Sequence, residues 1–231
     1  MTTQTLNYRP RSTVTPSTKH DELFWDKIAD SYAQKPVADE AAYQQKLEMT
    51  REYFTPQSRV FEFGCGTGST AIAHAPFVEQ IVASDISGEM IAIAERKAIA
   101  AEAHNVLFVR SDLASISDRE GEYDVVLGLS ILHLLRDPQA AIEKVYSMLK
   151  PGGVFVSSTA CLHEMGFWKL LLPVARALGK APHVNVFSRE GLIADMSEIG
   201  FELVHQWQPK KGAAVFLVAR KPERAPEGEG A

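Results

Sequence analysis

The chain has 231 residues, 45% of them hydrophobic and 23% charged, and a formal net charge of -5. This is the composition of a globular protein that buries its own core, of a length suited to one or two domains at about 150 residues each, and its acidic balance excludes the electrostatic footprint of a nucleic-acid binder. Its two cysteines, Cys65 and Cys161, exclude a disulfide framework and a four-cysteine zinc site, and fit a reducing compartment.

Residues 1–20 are polar and Thr-rich, with Arg9, Arg11 and Lys19 and no acidic side chain. They lack the apolar stretch of a signal peptide, and they are expected to be disordered. The expected location is cytoplasmic, with a transit peptide as the alternative for this acid-poor segment. No apolar run reaches the roughly 18 residues of a membrane span. Asp21 to Tyr32 and Asp39 to Phe54 read as two helices, an N-terminal cap over 21–55.

From residue 60 onward, short apolar runs alternate with helical patterns. Val60 to Phe63, Gln80 to Ser84, Val106 to Val109, Tyr123 to Leu127 and Val154 to Ser158 read as strands. Ser87 caps a helix expected to run to about Ala103, with Met90, Ile91, Ala94 and Ala98 on its apolar face. Asp137-Pro138 is an N-cap followed by proline at the first helical position. That helix turns Ile142, Val145 and Leu149 inward and ends before Pro151-Gly152-Gly153. Ser188 starts a further helix that Gly200 ends. Phe201 to Gln206 and Ala213 to Ala219 are then joined too closely to be parallel. The pattern predicts one α/β domain over 21–220, with a mostly parallel sheet and an antiparallel C-terminal hairpin. Residues 221–231 are expected to be disordered.

The segment 160–187 is longer than the usual two to six residues of such a connection. It is apolar around Phe167, Trp168 and Leu170 to Leu172, and reads partly as core and partly as a lid-like insertion that contributes Trp168 to a substrate pocket.

Chemistry concentrates at the strand ends. Gly64-Cys65-Gly66-Thr67-Gly68 is a glycine turn between a strand and a helix, where backbone without a Cβ lets a ligand approach closely. Asp85 follows 21 residues after Gly64, at the end of the second strand, where a carboxylate can accept from ribose hydroxyls. The dinucleotide pattern would place a third glycine where Ser69 stands. Asp112, after the third strand, can accept from an exocyclic amine or serve as a plain turn residue. Leu127 to Leu134 bring the fourth strand's end to the same crevice.

These motifs, with Leu149 to Gly153, resemble the successive motifs of the class I S-adenosylmethionine-dependent methyltransferases. The likeness is to the small-molecule, ubiquinone/menaquinone-methyltransferase-like branch and covers about Leu23 to Arg220. It implies a Rossmann-like doubly wound sheet of seven strands, S-adenosyl-L-methionine as cofactor, and a small-molecule acceptor. Carried over by position, Glu62, Gly64, Cys65, Gly66 and Gly68 lie at the methionine end. Asp85 holds the ribose, Ile86, Asp112 and Leu113 surround the adenine, and Leu129 and Ser130 pass the sulfonium. Tyr32 and Trp25 are the aromatic covers, Tyr32 over the cofactor and Trp25 toward the substrate. His133 stands as a general base, a substrate contact or a packed histidine. Cys161 with His163 lacks the further ligands of a metal site, so no metal is expected. The alternatives are a non-catalytic cofactor-binding protein and a NAD-dependent oxidoreductase. A monomer or homodimer is expected.

Overall fold

The computed structural model describes residues 19–117, 120–161 and 183–223. One sheet of seven strands organises it: β1 (Arg59–Phe63), β2 (Gln80–Asp85), β3 (Val106–Arg110), β4 (Tyr123–Leu129), β5 (Leu149–Thr159), β6 (Glu202–Trp207) and β7 (Val215–Arg220). The spatial order is β3-β2-β1-β4-β5-β7-β6. The first five strands pair in parallel, and β7 runs antiparallel between β5 and β6. The expected α/β architecture with a terminal antiparallel hairpin is therefore present. The described helices are α1 (Lys19–Ala33), α2 (Glu40–Arg51), α3 (Ser69–His74), α4 (Gly88–Ala100), α5 (Pro138–Met148) and α6 (Arg189–Ile199).

Helices cover both faces of the sheet, so inner strands such as β1 and β2 bury successive residues on both sides, while the edge strand β6 stays largely exposed. The two-residue period divides each strand between two cores. Phe61, Val82, Val126, Phe155 and Leu217 pack with Ile142 and Val145 of α5 and Leu192 of α6. Val60, Ile81, Val125, Val156 and Val218 pack with Ala71 of α3 and Ile91 and Ala94 of α4. Outside both cores, Trp25 and Ala29 of α1 rest on Met90 and Ile93 of α4.

The helix starts follow side-chain chemistry. Asp39, Ser87, Asp137 and Ser188 each accept a hydrogen bond from the backbone N–H three residues on. Gly200 ends α6 in a left-handed conformation. Two boundaries differ from the sequence expectation. Helix α4 stops at Ala100 rather than about Ala103, because Glu102 adopts φ +53° and the Ala103 N–H turns back to the Ala98 carbonyl. This is a closing motif in which glycine is usual, so no glycine marks the stop. Strand β5 begins at Leu149, not Val154: Leu149 pairs with Tyr123 before a bulge absorbs Lys150 to Gly153.

The chain order places the crevice. It runs from β1 outward through β2 and β3, then crosses back to lay β4 on the other side of β1. The connections after β1 and β4 therefore leave in opposite directions, opening a crevice at the strands' carboxyl ends, the usual ligand position in such sheets.

Candidate active site

Three glycines after β1 take positive φ: Gly64 at +65°, Gly66 at +53° and Gly68 at +74°. Their surroundings differ. A Cβ on Gly64 would lie 2.5–2.9 Å from Ile131, and one on Gly68 would lie 2.7–2.8 Å from Phe108 and Ala94. Those two positions need glycine for conformation and for packing. A Cβ on Gly66 would meet only the Tyr32 ring, at 4.0 Å. Gly66 therefore presents open backbone to the crevice.

Asp85, at the end of β2, holds this turn in place. One carboxylate oxygen accepts from the Gly66 N–H and the other from the Ser87 N–H, both at 2.9 Å. Burial pushes the Asp85 carboxyl up from its ordinary value, and these two bonds oppose that shift. Asp85 thus lines the cavity and also fastens the loop.

The cavity has a volume of about 390 Å³, within the range of small-molecule sites. Its floor is Phe63, Gly64, Gly66, Ser84 and Asp85. Ile86, Met90, Leu113, Ile131 and Leu134 supply apolar walls, with Ser111 and Asp112 between them. One Asp112 oxygen accepts from the Ser115 N–H at 2.6 Å, so the residue shapes its turn as well as the wall. Ser130 also lines the cavity, at φ +59°, a left-handed conformation uncommon for serine. Its N–H is held by the Ser158 carbonyl at 2.7 Å, and Lys46 of α2 donates to the Ser158 hydroxyl at 2.8 Å.

Helix α1 forms the roof through Asp21, Trp25 and Tyr32, the two rings packed edge to face. Its carboxylates bind it down. Asp21 pairs with Arg136 at 3.0 Å, and Glu22 pairs with Arg110. Asp26 accepts from the Ser87 hydroxyl at 2.6 Å and the Glu89 N–H at 3.2 Å.

The structure thus brings Trp25, Tyr32, Gly64, Gly66, Asp85, Ile86, Asp112, Leu113, Leu129 and Ser130 around one cavity. Four other sequence candidates lie behind its lining. Glu62 is buried, with one carboxylate oxygen lacking a partner; burial, then the charge of Asp85, raises its pKa to about 8. Cys65 is buried and its thiol is pushed well up, so it is no thiolate nucleophile at neutral pH. Gly68 starts α3 and packs against Phe108 and Ala94. Ile131 and Leu134 line the cavity on either side of His133, but His133 does not. Burial lowers its pKa, and its Nδ1 lacks a partner. Trp168 and His163 lie outside the described residues. Among the described residues no three metal-ligating side chains cluster, and no helix is long and apolar enough to cross a membrane.

Sequence reasoning missed Ser84, Met90 and the α5 wall of Ala140, Ala141 and Lys144. They carry no motif. Only the register of β2 and the packing of α5 bring them here.

Residues 32–206 match a family described as "Methyltransferase domain". The chain belongs to this family. It is 29% identical over 150 residues to a malonyl acyl-carrier-protein O-methyltransferase of Enterobacter lignolyticus, covering 64% of this chain and 57% of that protein. It is 29% identical over 131 residues to a ubiquinone biosynthesis O-methyltransferase of Xanthomonas campestris, covering 55% of each. It thus spans a little over half the length of these curated relatives. Among solved structures, the 4+2 cyclase SpnF superposes with a TM-score of 0.76 at 19% identity, over 91% of this chain and 98% of that one. That likeness is one of fold.

Proposed function

We propose that the cavity binds S-adenosylmethionine and that the protein transfers its methyl group to a small, largely apolar acceptor. The carrying observation is the joining of Gly66 to Asp85: open backbone beside a buried carboxylate, in a member of the methyltransferase-domain family. The residues present fit this cofactor. Asp85 suits ribose hydroxyls, and Ile86, Met90 and Leu113 give an adenine ring apolar faces, with Asp112 at its edge. Gly64 and Gly66 admit the methionine chain, and Tyr32 and Trp25 close over it.

S-adenosylmethionine supplies an already activated, electrophilic methyl group. The protein's own task is therefore orientation, worth about 7–11 kcal/mol in well-aligned systems. The strained Ser130 backbone, fixed through Ser158 and Lys46, holds one wall rigid. Because His133 is not among the lining residues, this reading rests catalysis on position rather than on a base at that residue. The apolar walls Ile131, Leu134 and Leu135 favour an acceptor with little charge.

Calorimetry with S-adenosylmethionine and with NAD tests the cofactor: only the former should bind. Turnover over a metabolite panel, read as S-adenosylhomocysteine released, tests transfer. Two curated relatives are named O-methyltransferases, so the panel starts with oxygen acceptors. Tighter binding of NAD overturns the reading. Binding of S-adenosylmethionine without release across the panel leaves a non-catalytic binder.

A further inference from the structure

Ile131, Leu134, Leu135 and Arg136 bring the segment after β4 to the cavity. That segment holds itself weakly. Its one regular piece is a single 3-10 turn, Leu132–Leu134, whose hydrogen bonds are poorer than those of an α-helix. They run from the Leu134 N–H to the Ile131 carbonyl at 2.8 Å and from the Leu135 N–H to the Leu132 carbonyl at 3.3 Å. The carbonyls of His133 and Leu135 are left to donors from elsewhere.

Both donors come from one residue. Asn185 gives its backbone N–H to the His133 carbonyl at 2.6 Å, and its side-chain amide N–H to the Leu135 carbonyl. The two bonds bracket Leu134. Asn185 is itself half-buried and is not among the lining residues.

Chemistry fixes the orientation of its amide. A backbone carbonyl can only accept, so the amide nitrogen faces Leu135 and the amide oxygen faces the His183 ring. His183 Nε2 lies 3.1 Å from that oxygen and therefore carries the hydrogen. The His183 backbone N–H in turn donates to Asp21 at 3.4 Å, the carboxylate that pairs with Arg136. Residues 183–185 thus run behind the wall and reach the roof helix.

We infer that Asn185 is a positioning residue: from outside the cavity it holds Leu134 and Leu135 in place, and so sets how the wall fits the bound ligand. Alanine has no donor there, and an ionised aspartate keeps the shape but can only accept. The inference rests on the cavity being an S-adenosylmethionine site.

Calorimetry of the full chain with S-adenosylmethionine reads the effect. Asn185→Ala and the isosteric Asn185→Asp should each weaken binding by about three- to tenfold, the worth of one neutral hydrogen bond. A double-mutant cycle shows where the effect passes. On a Leu134→Ala background, Asn185→Ala should change affinity by less than about twofold; on an Asp85→Ala background, it should cause the same loss as in wild type. Hydrogen exchange should quicken at residues 132–135 and stay unchanged in β4.

Affinity within about twofold of wild type in both Asn185 variants overturns the inference. So does an equal loss with and without Leu134, or exchange that quickens as much in β4, since either makes Asn185 a general support of the fold. If the wild-type protein binds no S-adenosylmethionine, the cofactor reading falls instead, and exchange at residues 132–135 still decides whether Asn185 holds the wall.

Discussion

The floor and the roof of the cavity are held by different physics. The floor is backbone: a left-handed glycine turn packed so closely that Gly64 and Gly68 admit no Cβ, and tied by Asp85 to the next strand's end. The roof is a single helix held through side chains, by Asp21, Glu22 and Asp26 and by Trp25 on Met90 and Ile93. Close packing deforms little, whereas partly exposed ion pairs contribute roughly 0–1 kcal/mol each. Ligand entry should therefore proceed by loosening α1 over a floor that stays fixed.

The largest effect should come from Gly68→Val. It adds a branched side chain at φ +74°, with its Cβ 2.7 Å from Phe108 and 2.8 Å from Ala94. A loss of about 2–5 kcal/mol is expected in chemical denaturation. Gly66→Ala meets open space and should cost only about 1–2 kcal/mol, from backbone strain, while reducing cofactor affinity more than any roof variant. Equal stability losses at the two glycines would erase the distinction between packing and ligand-facing positions.

Asp85→Ala comes next. It should weaken S-adenosylmethionine by about tenfold or more, and lower stability by about 1–3 kcal/mol because the Gly66 and Ser87 N–H groups lose their acceptor. Unchanged calorimetric affinity would remove the ribose assignment.

Glu62, beneath the floor, should appear as a slope with pH. Its carboxyl is raised from the ordinary 4.5 to about 8, so the folded protein holds a proton that the unfolded chain releases. Its burial therefore costs nothing below about pH 4.5 and lowers stability progressively as pH rises toward 8. Glu62→Gln should flatten melting temperature against pH across that window. An unaltered slope would show that Glu62 is ionised in the fold.

The roof variants should be milder. Asp26→Ala removes the acceptor of two hydrogen bonds and should cost about 1 kcal/mol. Hydrogen exchange should quicken in α1, with the strand amides protected as before; faster exchange in β1 and β2 would mean that roof and floor open together. Glu22→Gln should cost less, and added salt should mask it, since Arg110 is half exposed. The smallest effect is expected at His133. His133→Ala should change kcat on an identified acceptor by less than about fivefold, where a general base is worth about 10²–10⁴.

Much of the floor was legible because its signals are local. Glycines at alternate positions, an acid at the next strand end, and capping residues before helices act on backbone within a few residues. Each such signal was read close to where the structure has it. The failures were also local. Glu102 closes α4 in a conformation usually reserved for glycine, and a bulge lets β5 begin before its apolar run. The roof was legible only as a helix bearing aromatic residues, since the partners of its carboxylates lie 61 to 162 residues away.

By itself, then, the sequence determined the alternating architecture, the terminal hairpin, the glycine turn and the family, because hydrophobic period and turn chemistry are properties of short segments. Tertiary structure alone decided which candidates share a cavity. It set Glu62, Cys65, Gly68 and His133 behind the lining, while bringing Ser84 and the α5 wall into it. The physical reason is register and packing. A strand's side chains alternate between two faces, and which of them meets a cavity depends on neighbours far along the chain that no local pattern names.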